Sequence, residues 1–293
     1  MNDDIKALID SVKSLKQESN IFKDYIYPIS IVFISSFFGW FVGIISFYWQ
    51  EVVKNFKEQH DIINTWTLRA EYARSLLISI KENYCHKLSS DPIERVKIVA
   101  FMLLDRANIL DVDDLSKLIF LVPTKKQKIN SKWGNIISIR NLIENYNSTL
   151  RLWIERNAHF MFVKNVLRTA FPHRTLSSIT FQEFKSKIET SDIVMLIDLT
   201  ERCIRFTDEL IFELSDFLLG FPQYAICITG NGWYRRILNK LILPWCRKIL
   251  TFKDAELKYL SIPCKEPDYN MISSITRIDI EELKKIYSIG YIN

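Results

Sequence analysis

Only seven glycines and eight prolines interrupt the 293 residues of this chain. So few breakers argue against a turn-rich β protein and for long helices. Histidine is scarcer still: His60, His86, His159 and His173 lie far apart, and none has a helical i, i+4 partner with which to share a metal. The five cysteines, Cys85, Cys203, Cys227, Cys246 and Cys264, form an odd set without a C-x-x-C pair. They read as reduced core thiols in a reducing compartment. A P-loop, a G-x-G-x-x-G turn, a G-x-S-x-G elbow and an H-E-x-x-H helix are all missing, and with them the local geometry that each chemistry uses. We therefore expect no enzymatic activity, catalytic residue, metal or cofactor.

Charge is missing from one long stretch. Between Asp24 and Glu51 there is no charged side chain, and residues 25–50 read YIYPISIVFISSFFGWFVGIISFYWQ. This exceeds the roughly 20 residues a helix needs to cross a bilayer. Tyr25 and Tyr27 at one end, with Tyr48 and Trp49 at the other, suit the two headgroup levels, and Pro28 falls in the first turn. The run is too long for a signal-peptide core and follows a mixed-charge tail, so we read it as an uncleaved transmembrane anchor. Ser35, Gly39 and Gly43 recur every four residues along one face of it, a candidate helix-packing site for a homo-oligomer. Glycine is also simply frequent in membrane helices, which is the other reading of the same spacing.

Apolar rhythm continues on both sides. Ile5, Leu8, Val12, Leu15 and Phe22, with Ser19 in the one polar slot, describe an amphipathic helix or a coiled coil. Phe56, Ile63, Trp66, Ala70, Ala73, Leu77, Ile80 and Tyr84 keep the same spacing, and no Gly or Pro occurs from Gln50 to Leu88. One helix is thus expected to run from the bilayer into the aqueous phase, its stripe packing either on the chain's own helices or in an oligomeric stalk. Lysines flank the span on both sides, so the positive-inside rule is balanced. Free cysteines and basic patches place the larger C-terminal region in the cytoplasm of a single-pass inner-membrane protein.

The remainder carries helix signals. Asp91-Pro92 with Glu94 marks a helix start, "DVDDLSKLIFLV" a short helix before Pro123, and "WGNIISIR" onward a long helix ending before Pro172. Thr180 with Glu183 forms a capping box, and a further helix is expected from about Ser191 to Leu219 with Gly220 as its stop. The β-prone "QYAICITGNGW" and the mixed residues after 260 suggest some β structure. The fold class is therefore mainly α: a single N-terminal transmembrane helix, then a helical bundle, with a small α+β C-terminal part. The domains read as tail 1–24, span 25–50, bundle 51–220 and basic subdomain 221–293.

That subdomain holds Arg235, Arg236, Lys240, Arg247 and Lys248 interleaved with Trp233 and Trp245, a candidate lipid- or anion-binding site. The same charges suit nucleic acid, which is not favoured, or a solvated face packed by its apolar side. Phe217 to Tyr234 is uncharged and offers a further reading as a stretch that dips into the bilayer. Glu201, Arg202, Arg205, Asp208, Glu209, Glu213 and Asp216 share one helix and are expected to pair with the basic segment that follows. Lys125, Lys126, Lys128, Lys132 and Arg140 read as a solvated connector.

A span at residues 25–50 joined to a helical domain resembles the small membrane-anchored effectors of bacterial anti-phage systems, including those encoded beside retron reverse transcriptases. The resemblance is architectural, covers no diagnostic motif and transfers no functional residue. It implies a resting protein restrained by a protein regulator, and triggering that damages the membrane: a toxin of antiviral defence. The alternative is a constitutive membrane-tethered module that binds a protein, anionic lipid or nucleic acid.

Overall fold

The computed structural model describes residues 2–15, 25–104, 109–123, 131–230 and 248–288, and among these the regular structure is helical, without a strand. Contacts divide the chain into two units, Met1–Glu58 and Gln59–Asn293. The first contains α1 (Asn2–Leu15) and the N-terminal half of α2 (Tyr27–Glu82), with every residue from Ile31 to Gln50 exposed.

In the second unit, the later half of α2 is joined by α3 (Pro92–Ile98), a 3-10 helix (Asp113–Leu121), a short 3-10 turn (Lys132–Gly134) and α4 (Ile136–Ala170). Next come α5 (Phe181–Lys187), α6 (Thr190–Gly230), the single turn α7 (Asp254–Leu257), α8 (Tyr269–Thr276) and α9 (Ile280–Ser288). α4 and α6 make the most extensive pairing. One core gathers Trp66, Leu77, Tyr84, Leu118, Tyr146, Trp153, Phe217 and Phe221. A second gathers Val96, Phe160, Leu167, Phe184, Ile197, Ile272 and Leu283. Ile63, Trp66, Ala70, Ala73, Leu77, Ile80 and Tyr84 are all buried, so this stripe packs on the chain's own helices and is not free to build a stalk.

Local capping sets several boundaries where the sequence places them. The Asp91 carboxylate accepts from the backbone N–H groups of Ile93 and Glu94, and Asn135 caps α4 by accepting from Ile137. At α5 the capping box is reciprocal. The Thr180 backbone N–H, then Arg174 and the Thr180 hydroxyl, hold the Glu183 carboxyl down at about 2. α3 is shorter than its apolar run suggests. The Arg156 guanidinium donates to the carbonyls of Val96, Val99 and Ala100, giving the end of the helix its hydrogen bonds from another element.

Two sequence expectations are corrected. α6 does not stop at Gly220; it runs through Pro222 to Gly230, so "QYAICIT" is helical and crosses the boundary drawn at residue 220. The expected β structure of residues 221–293 is absent among the described residues, where 258–268 is irregular and α8 and α9 follow. Gly220 serves close packing instead. A Cβ there would lie 2.7 Å from Trp133 Cδ1, and one at Gly134 would lie 2.6 Å from the Tyr224 ring. Each aromatic thus rests on the other element's glycine, while Trp133 Nε1 donates to Asp216 at 3.1 Å and Tyr224 Oη to the Leu121 carbonyl at 2.6 Å. We expect Gly220→Ala to destabilise the fold by about 1–3 kcal/mol, measured as a lower urea midpoint. Gly39→Ala and Gly43→Ala, whose added Cβ would meet nothing within 4 Å, should leave that midpoint unchanged.

Candidate functional site

Two features carry functional weight, one in each unit. The first is the apolar half of α2. Two described helices are long and apolar enough to cross a membrane by length and composition, and they differ in burial. The apolar window of α2 is 0% buried, whereas that of Thr190–Thr229 in α6 is 56% buried. Phe217, Leu218, Phe221, Tyr224, Ala225 and Ile228 of α6 lie in the core, which is where the stretch read as dipping into the bilayer sits as far as residue 230.

On the exposed window, the four-residue spacing of Ser35, Gly39 and Gly43 puts them towards one side of the helix. The Ser35 hydroxyl donates back to the Val32 carbonyl at 3.0 Å, so the face presents no unmet donor. Phe37 stacks with Phe41 on the opposite side at a ring separation of 6.5 Å, and tilts at 6.0 Å against Trp40, which stands between that side and the glycines. At 100° per residue the helix therefore has one smooth side and one aromatic side. Such a side lets a second backbone approach closely in lipid.

The second feature is a set of buried cations that hold the irregular segment following residue 247 against α2 and α3. Asn64 starts it, donating to the Lys248 carbonyl at 3.1 Å and accepting from the Leu250 N–H at 2.8 Å. Arg74 donates to the carbonyls of Leu257 and Tyr259 and to Ser215. Lys81 donates to the carbonyls of Leu260 and Ile262 at 2.9 and 2.6 Å, and to Asp208 at 2.6 Å. Arg95 takes the Lys265 carbonyl at 2.7 Å and grips Glu201 with two nitrogens, at 2.7 and 2.8 Å. Partner numbers rise together, so this strap runs in the direction of α2.

All three cations are buried, as are Glu201 and Asp208. A carboxylate for Lys81 and for Arg95, and hydroxyl and carbonyl oxygens for Arg74, make such burial tolerable. Asp208 also accepts from the Cys264 N–H at 2.6 Å. Burial first, then the Asp208 charge, pushes the Cys264 thiol up to about 12. Its thiol stays protonated and weakly nucleophilic near neutral pH. With both carboxylates gripped by cations, these groups act as structural clamps.

Among the described residues the α6 charges find partners on other elements or within α6, while most of the basic segment expected to pair with them lies outside the described residues. Glu201 pairs with Arg95, Asp208 with Lys81 and Glu213 with Lys132; Arg202 and Arg205 pair within α6 with Asp198 and Glu209. Of the proposed lipid- or anion-binding set, Lys248 is exposed and its carbonyl holds Asn64. Arg235, Arg236, Lys240, Arg247, Trp233 and Trp245 lie outside the described residues, as do Lys125, Lys126 and Lys128. Among the described residues no group of three or more His, Cys, Asp or Glu is placed to hold a metal ion.

The strap is not apparent from the sequence. Arg74 and Lys81 stand seven residues apart, each directly after a member of the apolar stripe, and that regularity was the available signal. Comparison with protein-family models, curated proteins and solved structures finds no match for this chain.

Proposed function

We propose that this protein is a non-enzymatic, single-pass inner-membrane effector or signalling protein. Residues 25–50 anchor it, and its helical body faces the cytoplasm, where a protein regulator restrains it. Triggering releases the anchor segments to assemble through the Ser35, Gly39 and Gly43 face and to breach the bilayer, as a toxin in antiviral defence. The observation that carries the anchor is the contrast within α2: its apolar window is wholly unburied, while its later half forms the core of a folded body. An apolar surface that long has no stable place in water.

The test is carbonate extraction combined with dye entry in cells of an unrelated host, which supplies no cognate regulator, induced for the full chain and for a Phe38→Lys plus Val42→Lys variant. Each lysine at mid-span costs insertion about 3 kcal/mol. We expect the native chain to resist extraction and admit dye, and the variant to do neither. Extraction of the native chain would sink the anchor. Retention without dye entry would overturn the toxin and leave a tether.

A further inference from the structure

Among the described residues, the apolar face of α1 packs against neither core. Ile5, Leu8, Ile9 and Val12 are 51%, 68%, 48% and 58% exposed, and every described side chain of this helix is exposed. A 14-residue helix is marginal in water by itself, because nucleation costs more than a few turns return. No described residue of the chain supplies the apolar cover that would stabilise it.

The chemistry of the helix distinguishes the candidates. An interfacial helix on anionic lipid carries cations on its polar face and large aromatics on the other. α1 has Asp3, Asp4 and Asp10 against Lys6 and Lys13, and no aromatic residue. Anionic headgroups would repel its acidic excess. As a heptad, Ile5 and Val12 occupy a positions and Leu8 and Leu15 occupy d positions. β-branched residues at a with leucine at d is the pattern that favours two parallel strands. Lys6, Lys13 and Asp10 then fall at b and f, away from the seam. Asp4, the one charge at an e or g position, faces Ile9 of a parallel neighbour and meets no like charge.

We propose that α1 is the docking surface for a second copy of this chain, forming a parallel two-stranded coiled coil through Ile5, Leu8 and Val12. The parallel orientation rests on the anchored reading above, since every copy enters the bilayer with the same polarity. The pairing is independent of the glycine face and would hold copies together before any contact in lipid.

The experiment uses the full chain in membranes, with the photo-cross-linking residue p-benzoylphenylalanine replacing Ile5, Leu8, Val12, Lys6 or Asp10 in turn. Expected is a covalent dimer, at twice the chain mass, from positions 5, 8 and 12 and at least tenfold less from 6 and 10. Leu8→Asp should cut the dimer from position 12 at least tenfold, and since α1 has no contact in the core it leaves the fold intact. Equal yields at all five positions, ladders beyond two copies, or adducts to lipid from 8 and 12 would each overturn the proposal. Carbonate extraction of the same samples separates the two failures. Retained protein without cross-links sinks the coiled coil alone, whereas extracted protein sinks the anchor.

Discussion

Glu201→Ala should cost about 3–5 kcal/mol of stability, because it leaves the Arg95 guanidinium buried without its carboxylate. The pair is nearly sealed, with side-chain exposures of 1% and 3%, and both guanidinium-to-carboxylate bonds are lost at once. The remaining partners of Arg95, the Ser89 and Lys265 carbonyls, supply dipoles but no countercharge. Replacing both members, Arg95→Met with Glu201→Leu, removes two desolvation penalties together. It should recover most of the loss, since well-packed apolar substitutes for a buried pair are often neutral. Urea unfolding of the detergent-solubilised chain measures both variants against the native protein. A single mutant within 1 kcal/mol of the native protein would show that solvent reaches Arg95 and that the pair is no clamp.

Lys81→Met is expected to act more locally. It leaves Asp208 without its cation and the Leu260 and Ile262 carbonyls without their donor. The strap should then open at a cost lowered by about 3 kcal/mol, roughly a hundredfold in exchange rate. Hydrogen exchange at the Cys264 amide, which donates to Asp208, would report it, with the interior of α4 as the reference. Opening also returns the Cys264 thiol from about 12 towards its ordinary value, so alkylation by iodoacetamide should accelerate in parallel. An equal rise of exchange in α4 would mean that the strap and the core unfold as one.

What the sequence shows of this fold is what short-range chemistry decides. Asp91 before Pro92, Asn135, and Thr180 with Glu183 each satisfy helix N–H groups within three residues, so their boundaries are readable from the chain alone. The end of α3 is not readable, because the donor that closes it is Arg156 of another helix. Gly220 looks like a stop for the same reason: its purpose is the Trp133 ring, 87 residues earlier in the numbering and invisible at short range. The apolar run of α2 is legible because length and lack of charge suffice, and the one-sided stripe beyond it is legible as a period but not as a choice of partner. Buried cations are the hardest to see. Arg74, Lys81 and Arg95 are three of 39 lysines and arginines, and apart from the place of the first two beside the apolar stripe nothing in their neighbours marks them as unsolvated.

The clamps also set a timetable for synthesis. Asn64, Arg74, Lys81 and Arg95 take partners that lie 170 to 186 residues further along. At ribosomal rates of about 5–20 residues per second the wait is roughly 10–35 s. Throughout it the cations remain hydrated, and the apolar stretch of α2 is already made. A nascent chain released before residue 257 would keep the whole of residues 25–50 and none of the carbonyls that Arg74, Lys81 and Arg95 require from the strap. In such fragments Arg74, Lys81 and Arg95 would lack the strap carbonyls that the complete chain gives them, so these bonds close only when the last sixth of the chain has been made.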